Sequence, residues 1–227
     1  MEQGVRSSTK AKLRTPQAAA VAGILFSLLA MTSFVLLWIS VPADPQEAGS
    51  WLHSRADLVT LAVNLMPFSG IALLWFIAVL RDRMGEFEDR FFATVFFGSG
   101  VVFICMIFAA AAVVGAVMVA FVADPEQLVN SATYHFARAL AYAILNIYMI
   151  KAAAVFMITT STVVIYTGIA PRWLALLGYA LALLLLFASY YIRWSFLLFP
   201  LWVLVFSSWI LIRKYWPAKA SPSIERS

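Results

Sequence analysis

The sequence predicts an all-α, polytopic membrane protein of about six transmembrane helices with both termini cytoplasmic. Three observations lead there. The composition is 63% hydrophobic and only 12% charged, against about 25% charged residues in soluble domains. The apolar residues fall in runs as long as the ~20 residues that cross ~30 Å of hydrocarbon as helix. Basic residues cluster at alternate ends of those runs. The runs lack the period-two alternation of an outer-membrane barrel strand.

The elements follow in order. A basic tail, residues 1–15, precedes a six-helix domain over 16–213, and a polar tail rich in Ser and Pro covers 214–227. Low hydrophobicity predicts disorder in the outer parts of both tails. The first helix spans 16–41, with Pro16 suited to a first turn. Its apolar run, Ala18 to Val41, exceeds a signal-peptide core and lacks a small-x-small cleavage site, so it reads as an uncleaved helix. The second spans 58–80 and the third 91–122. The fourth covers 139–168, with a possible earlier start at Asp124-Pro125-Glu126, an acidic cap followed by Pro at the first position. The fifth and sixth cover 173–191 and 195–212.

Residues 91–122 would extend ~48 Å at 1.5 Å per residue, and a fourth helix from 125 would be longer still. Tilt or projection beyond the outer leaflet must absorb the excess, and a projecting hairpin is the preferred expectation. Small residues at four-residue spacing nominate two contact faces: Ala19, Gly23 and Ser27 in the first helix, and Ala112, Ala116 and Ala120 in the third. Cys105, the single cysteine, excludes an intramolecular disulfide and reads as a buried filler.

Orientation comes from the basic residues. An inside amino terminus places Arg6, Lys10, Lys12, Arg14, Arg81, Arg83, Arg90, Arg172, Arg213, Lys214, Lys219 and Arg226 in the cytoplasm, leaving Arg55, Arg138 and Arg193 outside. The same placement removes nucleic acid as a partner, because the net charge of +5 is spread along helix ends rather than gathered in a stripe. Trp38, Trp51, Trp173, Trp194 and Trp216 fall near helix ends, the level favoured by amphipathic rings.

Lys151 is the basic residue well inside an apolar run, and intramembrane charges are candidate functional groups. It stands 17 residues before Gly168, or ~25 Å from the inner boundary. Snorkelling outward and lining a polar site are the two readings. Asn64 lies at the same depth, 17 residues before Arg81. Pro67 frees the carbonyl of Val63, and Pro200 frees that of Phe196. A candidate polar cavity therefore comprises Lys151, Asn64, Pro67, Asp57, Arg138 and Asn146. Asp57 is placed to pair with Arg138 or Lys151, while His135, Arg138, Tyr142 and Asn146 share one helical face. The competing reading gives kinked helices and an ordinary solvated extension. Thr159, Thr160, Ser161 and Thr162 are expected to bond back to the preceding turn or across to a neighbour.

Catalysis finds little support. His53, Asp57 and His135 are the sole metal-ligating constellation to consider, and no HExxH spacing, glycine-rich phosphate loop or serine-histidine-acid order is present. No cofactor or metal is expected. In the loop from Arg81 to Arg90, Gly85 is suited to cap the incoming helix and Glu86, Glu88 and Asp89 to favour the next one. Within it, Asp82-Arg83-Met84-Gly85 resembles the Asp-Arg-x-Gly core of a major-facilitator transporter loop. Ala78 stands where that family has glycine, and Glu86-Phe87 replace its basic pair. The longer stretch from Asn64 through Pro67, Trp75-Phe76-Ile77, Arg81-Asp82-Arg83 and Gly85 to Gly98-Ser99-Gly100 resembles small bacterial multi-pass membrane proteins without an assigned activity. That resemblance implies a bacterial plasma-membrane protein. The leading expectation is a non-catalytic component acting in the lipid bilayer through helix contacts, with a second copy or another membrane protein as partner. The alternative is a transporter of a small solute, ion or lipid.

Overall fold

A computed structural model describes residues 15–42, 49–84 and 90–215. The two tails, Gly85 and the acidic residues of the loop after it lie outside those residues, as does Trp216. Eight α-helices are present among the described residues: α1 (Thr15–Ser40), α2 (Ser50–Met84), α3 (Arg90–Ala123), α4 (Pro125–Val129), α5 (Ala132–Ala143), α6 (Met149–Thr167), α7 (Arg172–Phe187) and α8 (Ser195–Tyr215). A π-helical turn, Ile144–Tyr148, joins α5 to α6, and a 3₁₀ turn, Ser189–Tyr191, follows α7. No strand occurs among the described residues. Five helical stretches are long and apolar enough to cross a membrane, and α7 is a shorter apolar helix. The protein is thus an all-α, multi-pass membrane protein.

Successive long helices run antiparallel, because their contacts pair early residues of one with late residues of the next. Gly23 of α1 meets Phe76 of α2 and Ser207 of α8. Gly70 and Gly100 bracket the α2–α3 seam against Phe108 and Ile77. Phe96 of α3 stacks on Phe156 of α6 at 4.9 Å. Thr162 of α6 bonds Tyr179 of α7 at 2.6 Å, and Trp202 of α8 donates to the carbonyl of Leu174 at 3.4 Å. With α1 packed on α8 as well as α2, the order α1-α2-α3-α6-α7-α8 closes on itself. Six apolar helices thus alternate in direction, α7 included, and the start of α1 lies on the same side as the end of α8. We call that side inner, after the basic residues it carries.

The interior is aromatic. Phe26, Phe103, Phe156 and Phe199 are each at most 2% exposed, and their rings meet in tilted and edge-to-face pairs 4.7–6.1 Å apart. Such arrangements set the positive edge of one ring against the negative face of another. Ala19, Gly23 and Ser27 face this interior as expected. In α3 the expectation fails. Ala112 and Ala116 are exposed, and the packed side carries Ala111, Gly115 and Met118 instead. Cys105 is likewise exposed rather than buried.

Two long elements differ from the predicted ones for local reasons. Asp124 does cap a helix at Pro125, accepting from the Gln127 amide at 3.1 Å, but that helix ends after one turn. Ser131 then caps α5 by accepting from the Tyr134 amide at 3.1 Å, so no single helix runs from 125 to 168. The second helix begins earlier than residue 58, at Ser50, with a kink where Arg55 leaves helical geometry at φ −134° and ψ 15°. From Ala132 to Thr167 the chain is helical over 36 residues, or ~54 Å, and α3 extends ~51 Å. α4 and α5 stay packed on α3, so the excess over ~30 Å of hydrocarbon is carried by paired helices rather than by one alone. Trp51 is buried at 5% exposure, donating Nε1–H to the Tyr134 hydroxyl at 3.1 Å, and is not an interfacial ring. Trp38 and Trp194 are half exposed and pack together at 4.1 Å.

Candidate functional site

The outward-pointing helices end in carbonyls that have no partner within the helix. In hydrocarbon such groups need protein donors, since water is absent. α7 makes the need acute. Its 16 residues rise only ~24 Å, about 6 Å less than the hydrocarbon thickness, so its last turn cannot rely on water outside the bilayer. The Ala188 amide closes on Leu184 at 2.8 Å, and the carbonyls of Leu185 and Leu186 come next in that last turn.

Lys151 supplies the donors. Its ammonium reaches across from α6 to the carbonyl of Leu185 at 3.0 Å, to the carbonyl of Leu186, and to the Ser189 hydroxyl at 3.3 Å. An ammonium has three protons, and three acceptors surround it. The positive charge also opposes the negative end of the α7 dipole. Lys151 therefore neither snorkels to the headgroups nor offers free protons to a solute path.

The end of α1 is treated the same way. Arg55, at the kink of α2, donates to the carbonyl of Ile39, and Arg138 of α5 donates to that of Pro42 at 2.5 Å. Three basic residues of the outer half thus close the ends of two outward-pointing helices. The sequence marks Arg55 and Arg138 as exceptions to the inside bias and Lys151 as an intramembrane charge, without revealing this shared role. The available signal was their position opposite helix ends whose residues carry no capping side chain of their own.

Of the remaining candidates, Asn64 and Asn146 bond back to their own helix. Asn64 is exposed and turns its amide back to the carbonyl of Thr60 at 2.9 Å. Pro67 is half-buried on α2, which packs on α1 and α3, whereas the helix of Lys151 packs on α3 and α7. No hydrogen bond joins Lys151 to Asn64 or to Val63, whose carbonyl Pro67 frees. Asp57 is exposed, and its expected pairing with Lys151 does not form. Asn146 lies in the π-helical turn and donates to the Tyr142 carbonyl at 3.1 Å. His53 stands edge-on to Phe121 at 4.8 Å. Among the described residues, which include His53, Asp57 and His135, no three His, Cys, Asp or Glu side chains gather as metal ligands.

The hydroxyl patch behaves as its chemistry dictates. Thr159 and Thr160 bond back to the Phe156 carbonyl at 3.0 and 2.7 Å, and Thr162 to that of Ile158 at 2.9 Å. Thr162 also makes the bond to Tyr179 that ties α6 to α7. Ser161 is buried without a protein partner and fills the space over Gly178, where a Cβ would stand 2.1 Å from its oxygen.

On its opposite side α6 meets α3, and there the surface opens. Val95, Gly98, Ser99, Val102 and Met106 of α3 face Tyr148, Lys151, Ala152 and Val155 across a groove of about 460 Å³. Gly98 forms an open stretch, for a Cβ there would meet nothing within 4 Å. Only two residues on, a Cβ at Gly100 would strike Ile77 at 2.4 Å. Comparison with protein-family models, with curated proteins and with solved structures found no match to this chain.

Proposed function

We propose that the protein is a non-catalytic component of a bacterial cell membrane that acts through its outward-facing helix surfaces, binding a second copy or another membrane protein. The observation that carries this reading is the filled interior. The four buried phenylalanines occupy the middle of the bundle, and Lys151 already has a partner for each proton. Chemistry is left to the outside. α2 offers a surface of suitable kind, with Phe68 61% and Trp75 65% exposed. Aromatic side chains of that size dominate interface energetics. The basic-residue distribution supports cytoplasmic placement of both ends.

The test is a photo-crosslinking amino acid placed at Phe68 or Trp75 in living cells. Discrete higher-mass protein adducts at these positions are expected, with none at Leu183 of α7. Absence of any protein adduct from every exposed helix face would reject the reading.

A further inference from the structure

We propose that the exposed face of α2 is a homodimer seam, in which the Asn64 amides of two copies of this chain pair across a two-fold axis. The inference rests on the membrane-contact reading above and names its partner. Leu61, Asn64, Phe68, Ile71, Trp75 and Ala78 are all exposed on α2. Their spacing of three and four residues is that of a left-handed helix-pair seam. The stretch lies within a span long and apolar enough to cross the bilayer, and it rises ~25 Å, most of the hydrocarbon thickness. The other sides of α2 pack on α1 and α3, so the seam points away from the bundle.

Asn64 selects the occupant. One amide proton goes to the Thr60 carbonyl at 2.9 Å, while the other proton and the amide oxygen have no bond to a described residue. The residue lies ~25 Å from the inner boundary, about 5 Å inside the outer edge of the hydrocarbon. At that depth a free amide needs a protein partner, since lipid chains neither donate nor accept. Lys151, at the same level, has no proton to spare. A free donor and a free acceptor on one amide are self-complementary, so two copies satisfy each other with two reciprocal hydrogen bonds. The bilayer supplies the register. Both copies share one membrane orientation, so their two-fold axis stands along the membrane normal and residues of equal depth meet. An unrelated helix would have to present a matching group at this one depth, whereas a second copy does so by symmetry. A single Asn in an otherwise apolar seam also fixes register and favours a two-stranded pair. Phe68 and Trp75, 61% and 65% exposed, supply contact area deeper along the same seam.

The experiment reconstitutes the full purified chain, in a Cys105→Ala background, in vesicles of phosphatidylethanolamine and phosphatidylglycerol over a series of protein-to-lipid ratios. With Leu61→Cys or Phe68→Cys as reporter, mild oxidation should give disulfide-linked dimers, and Leu183→Cys on α7 should give none. Energy transfer between differently labelled copies then gives the midpoint of association. Asn64→Leu should raise that midpoint about eightfold, the loss of two interhelical hydrogen bonds. Asn64→Gln keeps a donor and an acceptor and should restore most of the association. The unfolding transition of the monomer should stay in place in both, because Asn64 is exposed and bonds within its own helix. Asn64→Ala repeats the test should Asn64→Leu not fold. Monomers at every ratio, or a midpoint that neither apolar variant moves, would overturn the proposal. Adducts at Phe68 in cells that join this chain only to a different protein would overturn the homodimer and leave the broader reading standing. Absence of protein adducts from every exposed helix face would reject both.

Discussion

The two sides of α6 solve the same packing problem in opposite ways. Toward α7 the seam is closed by two polar contacts, Lys151 to the end of α7 and Thr162 to Tyr179, and by Ser161 packed over Gly178. Toward α3 it is closed by stacked rings, Phe96 on Phe156, and then opens beside Gly98. Small residues occur on both sides. What differs is whether a side chain from the neighbour fills the space they leave. In a solvent as apolar as the helix itself, close approach and hydrogen bonds must hold helices together. A glycine without a facing side chain therefore marks an opening rather than a seam.

Substitutions break or sharpen this contrast. The largest effect is expected at Gly178→Leu, where a Cβ would lie 2.1 Å from Ser161 Oγ and 3.0 Å from the Trp202 ring. Overpacking of this kind should destabilise by about 3 kcal/mol or more, read as loss of monodisperse protein and of the unfolding transition in mixed micelles. Lys151→Met comes next. It leaves the Leu185 and Leu186 carbonyls without their donor, and a loss of about 2 kcal/mol is expected, partly restored by Lys151→Arg. Thr162→Val removes one interhelical hydrogen bond and should cost about 0.6 kcal/mol in the same assay. Gly98→Ala should change stability by less than about 0.5 kcal/mol beyond its helix propensity, since a Cβ there meets no protein atom within 4 Å. A destabilisation as large as that of Gly178→Leu would show that the groove is a closed seam.

Much of the fold was legible in the sequence because hydrocarbon thickness fixes helix length and the basic residues fix alternation. Pro16 falls in the first turn of α1, and Gly168 ends α6 in the left-handed conformation at φ 64°. The threonines of α6 bond back to their own helix as their chemistry requires. Facing was not legible in α3. Lipid and protein neighbours are both apolar, so Ala112 and Ala111 look alike in sequence although one is exposed and the other buried. The partner of Lys151 was hidden for a different reason. The expected fifth helix ran to residue 191, and the chain instead ends α7 at Phe187, 36 residues after the lysine, bringing free carbonyls down to its level. Equal depth along two helices placed Asn64 beside Lys151 on paper, but α3 packs against both helices and each polar group found a nearer acceptor.

Lys151 belongs to a dry helix contact and not to a hydrated path. The most direct test is Lys151→Cys in a Cys105→Ala background, probed from outside intact cells with a membrane-impermeant thiol reagent. Val155→Cys serves as the deeper control and Arg193→Cys as the exposed one. Full labelling is expected at 193 and none at 151 or 155. Strong labelling at 151 with 155 silent, in folded protein, would contradict the dry contact and return the site to a water-filled cavity.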